Sequence, residues 1–520
     1  MTGRGNDYQV CIIGGGPVGL GLAIELGQRG ISVGVIEKRE SPARIPKGQN
    51  LTQRTMEHMQ AWGVETAIRD AKCIPKGRGM GGLTAYGTLL SGYHYDWFKR
   101  ASVDAFYNAS NERLPQYETE AVLRRRIEAL PSVDMHVGWT ATDLSQSGTI
   151  ATVQATDGQT TSTFQTDFVV GCDGSHSFTR RAAGISETSD NHARTMALIV
   201  FESPEFFRLI DRFPDKQFYN VLRPEHDGYW MFFGMVEWQK SFFFHAPVPE
   251  GTNRETFDFK GYIQSAVGAP FELSLGYVGF WDLRISMANS YRTGCVFIAG
   301  DAAHSHPPYG GYGINTGFED ARNLGWKLAA VLQGWGGPDL LDSYDAERRP
   351  VFASTASDFI NRFIEKDRAF VRTYSPERDV KAFEAAWADR ARSGDGAGVG
   401  AYAPNYVGSP VVASEKPGPP SAVGTHDMSL CAGNHLPPLR AASGRSVVDD
   451  LGQRVSVLAN GTHLPRDVSR ENVTTIEIAD DDWLPRFAVV RPDGFVAGLA
   501  ADASQIDGIV AQTLGYRFIS

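Results

Sequence analysis

The stretch Gly300–Gly317, GDAAHSHPPYGGYGINTG, sets an acid at the end of the apolar run Cys295–Ala299. Two prolines and four glycines then precede Phe318–Gln333, whose apolar residues recur at helical spacing. A loop of this composition lays backbone N–H groups bare, and a helix that starts in it directs them at an anionic ring or a phosphate. A second set suits the same kind of ligand. The apolar run Val10–Ile13 leads into Gly14-Gly15-Gly16-Pro17-Val18-Gly19 and the helical pattern Leu20–Arg29, and a further strand, Ser32–Ile36, ends in Glu37. In this G-x-G-x-x-G the first glycine allows a tight turn, the second lets backbone approach a pyrophosphate, and the third lets helix pack on strand. Glu37 stands where an acid takes adenosine ribose hydroxyls. Its charge would repel a 2′-phosphate, so FAD or NAD suits this site better than NADP.

A third signal lies between these two. Phe168–Ser177 reads strand, Asp173-Gly174 turn and helix start, with Arg180 just beyond. In this order the fingerprint, the Asp-Gly turn and the GDAAH loop resemble the single-component flavin-dependent aromatic hydroxylases of the p-hydroxybenzoate and phenol hydroxylase type, from about Tyr8 to about Pro350. The likeness is most specific at GDAAH-x-x-PP-x-GG-x-G-x-N-x-G and at Asp320–Leu328; Gln53–Glu57 and Pro115–Glu120 also match.

The resemblance implies FAD, cradled by Gly14, Gly15, Gly16, Pro17 and Gly19. Glu37, with Lys38 beside it, would hold the adenosine ribose, and Asp301 the ribityl or pyrophosphate part. Gln116 and a basic residue near Lys47 would contact the FAD chain, and Asp173 belongs to the same cofactor set. The backbone of Gly311, Gly313, Ile314 and Asn315 would face the flavin pyrimidine edge, where a helix N-terminus stabilises negative charge on the reduced ring. Pro308, with Pro307, would wall the flavin near its reactive carbon. Tyr312 departs from the pattern, because many relatives carry glutamine there. No second nucleotide fingerprint is present, so NADH or NADPH is expected as a transient co-substrate, with Arg180 lending charge to its docking.

The activity so implied is NAD(P)H- and O2-dependent hydroxylation of an electron-rich aromatic, a phenol or aniline, through a flavin C4a-hydroperoxide. For the proton of the substrate the candidates are Gln49, which stands where phenol-hydroxylase relatives place an acid but cannot itself be a base, and Tyr229, His226 and Arg223. Two alternatives stay open: Baeyer–Villiger or epoxide insertion on a polyketide-like fused ring, and a flavin-fold protein that binds an aromatic without oxidising it. Halogenation is disfavoured, because Trp281–Ser286 does not supply a W-x-W-x-I-P signature. His304 and His306 are not read as metal ligands, since the GDAAH context accounts for one and proline follows the other.

These residues need an α/β scaffold: a Rossmann-type FAD-binding domain, an inserted mixed β-sheet for the substrate, and a C-terminal thioredoxin-like α/β domain. The expected FAD domain is discontinuous, 1–75, 105–185 and 285–345. The sheet domain takes 76–104 and 186–284, where Phe218-Tyr219, Tyr229–Phe233 and Phe242–His245 read as strands. A helical segment follows over 346–392, broken near Tyr374–Pro376, and a Gly/Pro-rich linker over 393–424. The last unit, 425–520, carries Phe487–Ala497, which resembles the strand–turn–strand of the thioredoxin-like domain of larger phenol-hydroxylase relatives. It lacks their cysteine pair, so redox work there is not expected, and a cover or dimer role is.

Composition agrees with an enzyme of 520 residues and several cores: 42% of residues are hydrophobic and the net charge is −10. That charge argues against nucleic acid and against an anionic membrane surface. Arg124–Arg126 reads as the polar face of a helix over Glu118–Ala129. Five scattered cysteines without a CxxC pair suit a reducing cytoplasm, and neither a signal peptide nor a spanning segment is read. A homodimer is implied by the family habit alone.

Overall fold

A computed structural model describes residues 6–75, 79–393, 398–414, 416–464, 473–479 and 484–516. Gly394 and Gly396 of the expected linker lie outside the described residues.

Valine and isoleucine dominate Tyr8–Ile13 and Val33–Glu37, and the runs are apolar on both faces, as parallel strands covered by helices must be. They pair in parallel with each other, and the sheet extends in the order Val296–Ile298, Thr161–Gly171, Tyr8–Ile13, Val33–Glu37, Val133–Val137, all parallel. The short strand Arg292–Thr293 closes one edge, and a hairpin, Thr140–Ser147 with Ile150–Thr156, branches from Thr161–Gly171. The helix Pro17–Gly27 returns across this sheet and packs on the 20-residue helix Gly313–Leu332. Gly21 and Gly317 permit the close approach: a Cβ would stand 2.7 Å from Trp62 at the first and 2.5 Å from Val18 at the second.

The second sheet runs His304–Ser305, Ser274–Ala288, Glu187–Glu202, Ser241–Val248, Met231–Glu237, Lys216–Leu222, Gly81–Tyr86, His94–Trp97. Only Lys216–Leu222 and Gly81–Tyr86 pair in parallel. Alternation sorts its side chains by face. Tyr219, Val221, Met231, Phe233, Phe242 and Phe244 pack under the helices Pro204–Ile210 and Phe259–Val267. Phe218, Leu222, Phe232 and Phe243 turn the other way, toward Tyr309 and Tyr312 of the glycine-rich loop and toward the helices over 343–393. Those helices are Ser343–Ser354, a π-helical turn Thr355–Asn361, Arg362–Thr373 and Val380–Ser393, so the expected break falls at Tyr374.

A third sheet, in the order Val473–Ile478, Val455–Asn460, Phe487–Val490, Val496–Ala500, carries the C-terminal unit, with its first two strands parallel and the rest antiparallel. It docks on Trp326 of the helix Gly313–Leu332 and on Trp335 and Leu340 of the segment that follows it.

Candidate active site

The turns that follow four parallel strands gather at one end of the first sheet, where open α/β sheets bind ligands. In the turn after Tyr8–Ile13, Gly14 has φ +110°, and a Cβ on it would stand 2.4 Å from the Cys172 carbonyl oxygen. A Cβ on Gly19 would meet the Gly14 carbonyl oxygen at 2.0 Å, and one on Gly15 would meet the Glu37 side chain at 2.8 Å. The chain itself therefore requires these three glycines. Gly16 differs: nothing of the protein lies within 4 Å of where its Cβ would be. Pro17 then opens the helix at its first position, where a missing N–H is harmless.

Glu37 is fixed at the rim of this turn. Its Oε2 accepts from Gly15 N at 2.7 Å and its Oε1 from Arg39 N at 2.8 Å, while Lys38 beside it is exposed. Gln116 donates to Glu120 at 2.8 Å. Burial raises the Glu120 carboxyl above its ordinary range, against the pull of Gln116 and Arg124. Arg124, read from the sequence as polar helix surface, reaches the Gly15 carbonyl at 3.5 Å, and its Nε is buried with no partner. A cation there lies beside the glycine turn. An arginine one turn beyond Glu120 on the helix Gln116–Glu128 was the available signal.

The Asp-Gly turn is held by its own hydrogen bonds. Asp173 accepts from the Ser177 hydroxyl and from Thr179 N at 2.9 Å, and Ser177, accepting from Arg180 N at 2.9 Å, caps the helix Phe178–Ala182. Arg180 is buried rather than standing open to a docking nucleotide: it donates to Ala302 O at 2.7 Å and Ser175 O at 3.0 Å and pairs with Glu187 at 2.9 Å, tying this turn to the GDAAH loop.

Within that loop, His304 Nε2 meets Asp320 Oδ2 at 2.6 Å, and Asp320 also accepts from Gly300 N at 3.0 Å and from Arg348 Nε at 2.7 Å. Burial would raise Asp320, but His304 and Arg348 hold its carboxyl below the ordinary range. His304 thus anchors the loop to its helix. Asp301 opens onto the crevice. Although its surface is exposed, the surrounding protein desolvates its carboxyl and raises it, while His304 and the exposed Lys47 across from it oppose the rise.

The loop ends at the start of the helix Gly313–Leu332. Its first intrahelical bond runs from Thr316 N to Tyr312 O at 2.8 Å, and Tyr312 offers no side-chain cap, so the N–H groups of Gly313, Ile314 and Asn315 are the unpaired donors of a helix N-terminus. The Asn315 side chain locks the surroundings: Oδ1 accepts from Thr52 N at 2.9 Å and Thr55 Oγ1 at 2.6 Å, and Nδ2 donates to Asn50 O at 2.8 Å and Gly311 O at 2.7 Å. Asn50 Nδ2, 3.3 Å from where a Gly311 Cβ would be, is buried without a partner. His306 Nε2 is another such orphan, 3.7 Å from the Cβ position of Gly313, and burial pushes its pKa down to about 4. Pro308 is half-buried between His306 and Tyr309. Tyr312 turns inward and stacks on Tyr402 at 4.2 Å, so its hydrocarbon fills core.

A bare Gly16, unpaired helix donors and partnerless polar atoms at Arg124, Asn50 and His306 fit the pyrophosphate and ring of FAD. Bound there, FAD supplies the electron-transfer and oxygen-activating chemistry of flavins.

The proposed proton-handling residues do not come together. Gln49 is buried beside the loop, and its Oε1 accepts from Arg113 Nη2 at 2.8 Å. Arg113 also donates to Gln217 at 2.8 Å and to the Met235 carbonyl and lies 4.2 Å over the Phe218 ring; burial of its guanidinium lowers its pKa to about 9. Sequence reading missed this cation. Tyr229 is buried, its hydroxyl 3.0 Å from both His192 Nδ1 and Arg368 Nη2, next to Trp230, whose backbone N–H donates to the Tyr309 hydroxyl at 3.1 Å. Arg223 donates to Gly87 O at 2.6 Å and to Ser265 O of the helix on the opposite face, and it pairs with Glu225. His226 approaches Tyr262 of that same helix at 6.4 Å. These two lie away from the glycine-rich loop, because the hairpin end that carries them is clamped by the outer helix.

The parallel sheet, its glycine turn and the inserted sheet define a dinucleotide-binding flavoprotein of the FAD-dependent class. A family model described as an FAD binding domain matches residues 7–358, and the chain belongs to that family. It is 32% identical to a putative polyketide hydroxylase of Streptomyces halstedii over 67% of this chain and 64% of the relative, so it spans less than two thirds of that protein's length. It is 28% identical to a 4-methyl-5-nitrocatechol 5-monooxygenase of Burkholderia sp over 96% of this chain and 95% of the relative. The flavin-dependent monooxygenase PieE, solved with FAD and substrate, shares the fold at a TM-score of 0.84 and 21% identity, covering 98% of this chain and 99% of that one.

Proposed function

We propose that this protein is an FAD-dependent, NAD(P)H- and O2-consuming monooxygenase that hydroxylates an electron-rich aromatic. The observation that carries this reading is the facing of two surfaces: the unpaired N–H groups at Gly313–Asn315, and the aromatic face of the second sheet reached through Tyr309 and Trp230. The helix N-terminus favours negative charge on the ring edge bound against it. Glu37, Asp301 and Arg124 orient the nucleotide portion, and Pro308 bounds the space between ring and sheet. Phe218, Phe232 and Phe243 give flat apolar walls that exclude water and hold a ring. Arg113, a cation bonded to Gln49 beside the loop, stabilises developing negative charge on a phenolic oxygen. The named relatives, a polyketide hydroxylase and a nitrocatechol monooxygenase, support an oxygenated aromatic as substrate.

The sheet order of the C-terminal unit supports a thioredoxin-like reading in a covering role. Five free cysteines support a reducing, cytoplasmic setting; no helix among the described residues is long and apolar enough to cross a membrane. Dimerisation is proposed on the family habit.

The test is to load the protein with FAD and follow NADH and NADPH oxidation with phenols and anilines. The expected result is oxidation accelerated by an aromatic that leaves one oxygen heavier. NAD(P)H oxidation indifferent to every aromatic would contradict the proposal.

A further inference from the structure

The loop-facing side of the second sheet carries a continuous cross-strand row. Leu198 pairs with His245, His245 with Phe232, Phe232 with Asn220, Asn220 with Thr84, and Thr84 with Tyr95. Residues directly opposite on neighbouring strands share a face, and Tyr95, Leu198 and Phe232 belong to the same packed group as Tyr309 of the glycine-rich loop. No charged side chain stands in this row. Three of its polar members have unmet hydrogen-bonding capacity: Oγ1 of Thr84, both side-chain atoms of Asn220, only 1% exposed, and Nδ1 of His245, 7% exposed, are buried without any partner, and the last two flank Phe232. A buried amide with neither end satisfied destabilises a fold, so its presence asks for a ligand that completes it. Burial lowers the His245 pKa to about 4, so the ring is neutral at physiological pH and acts through hydrogen bonding.

Asn220 and His245 flank Phe232 one strand away on either side, which sets their backbones about 10 Å apart. Phe232 is half-buried between them and stacks on Phe218 at 5.7 Å. A ring lying over Phe232 with an oxygen at each of two opposite edges spans that gap through one hydrogen bond at each end, about 2.8 Å long. A ring oxygenated at one edge only satisfies one of the two residues.

Resting on the hydroxylase reading above, we propose that Asn220 and His245 determine specificity, together holding oxygen substituents at opposite edges of a neutral aromatic substrate laid over Phe232.

The experiment titrates FAD-loaded protein by calorimetry, without NAD(P)H, with 4-methoxyphenol, 2-methoxyphenol, phenol and anisole. The expected result is that 4-methoxyphenol binds about tenfold more tightly than the other three, the worth of one further hydrogen bond. Asn220→Leu and His245→Phe should each abolish that advantage, leave phenol binding through the remaining residue, and not lower the melting temperature, because each replaces an orphaned polar group with an apolar one. Four probes that bind alike or not at all, or variants that keep the preference for 4-methoxyphenol, overturn the proposal. So do variants that melt lower and weaken all four probes equally, the behaviour of a purely structural pair. A protein that takes up no FAD removes the hydroxylase reading, and this proposal falls with it by a different observation.

Discussion

Gly14 and Gly16 sit two residues apart in one turn and answer to different neighbours. Gly14→Ala forces a side chain against the Cys172 carbonyl at a φ that only glycine adopts freely, so several kcal/mol of stability should be lost and with it soluble protein. Gly16→Ala meets no protein atom. The FAD-free variant should melt at the wild-type temperature, yet bind FAD at least about tenfold more weakly, because the pyrophosphate needs that space. Fluorimetric FAD titration beside thermal melts checks both, and unchanged FAD affinity in Gly16→Ala would contradict the placement. His245 gives a pH prediction. Its folded pKa of about 4 lies below the ordinary 6.5, so the unfolded chain binds more protons between those values. Stability should therefore fall as pH drops from about 6.5 toward 4, by up to about 3 kcal/mol from this residue, and His245→Phe should flatten that part of the melting-temperature profile. At this scale the crowded positions Gly14, Gly15 and Gly19, the open one at Gly16 and the place of Glu37 at the rim of their turn were legible, since glycine chemistry and local spacing mark them. Arg124, Arg113 and the pairing of Asn220 with His245 were not. Their meaning depends on which elements lie side by side: Arg113 meets Gln49 and Met235 from 64 and 122 positions away, Arg124 meets Gly15 from 109, and such neighbours come together only in the fold. Arg223 and His226 attracted notice as polar residues in an aromatic segment, and the hairpin carries them to the outer helix instead.

Among the elements, the helix Gly313–Leu332 joins the site to the rest of the protein. Its N-terminus opens from the glycine-rich loop, and its body carries Asn323, Trp326 and Lys327 into a buried ionic cluster. Lys327 pairs with Glu347 at 2.6 Å, Glu347 with Arg491 at 2.6 Å, and Arg491 with Asp493 at 2.6 Å, all fully buried. Burial would raise the Glu347 carboxyl, but Arg491 and Lys327 hold it far below the ordinary range. Glu347→Gln leaves two buried cations short of charge and should destabilise by about 3–5 kcal/mol; denaturant unfolding measures it. A smaller loss than about 1 kcal/mol would show that the cluster contributes little. The helix itself was legible from its periodicity, and the strands Tyr8–Ile13, Val33–Glu37 and Ser241–Val248 from their apolar runs. The sheet order was not, because the parallel pairing of Lys216–Leu222 with Gly81–Tyr86 joins segments more than a hundred residues apart in the chain.

The whole molecule places two chemically different surfaces against each other, with a third unit bracing the helix between them. Removing everything after residue 393 uncovers Trp326, Ala330 and Leu340 and leaves Glu347 without Arg491. Such a truncated protein should be insoluble, whereas an unaffected soluble yield with FAD bound would make the C-terminal unit dispensable. The central claim is that the crevice holds FAD and the aromatic sheet face presents a ring to it for oxygenation. The most direct measurement supplies ¹⁸O2 to the FAD-loaded protein with NADH or NADPH and an accepted phenol, and weighs the product. The account predicts one ¹⁸O atom in the aromatic product, with NAD(P)H consumed in proportion. Hydrogen peroxide alone, with the phenol returned unlabelled, would contradict it.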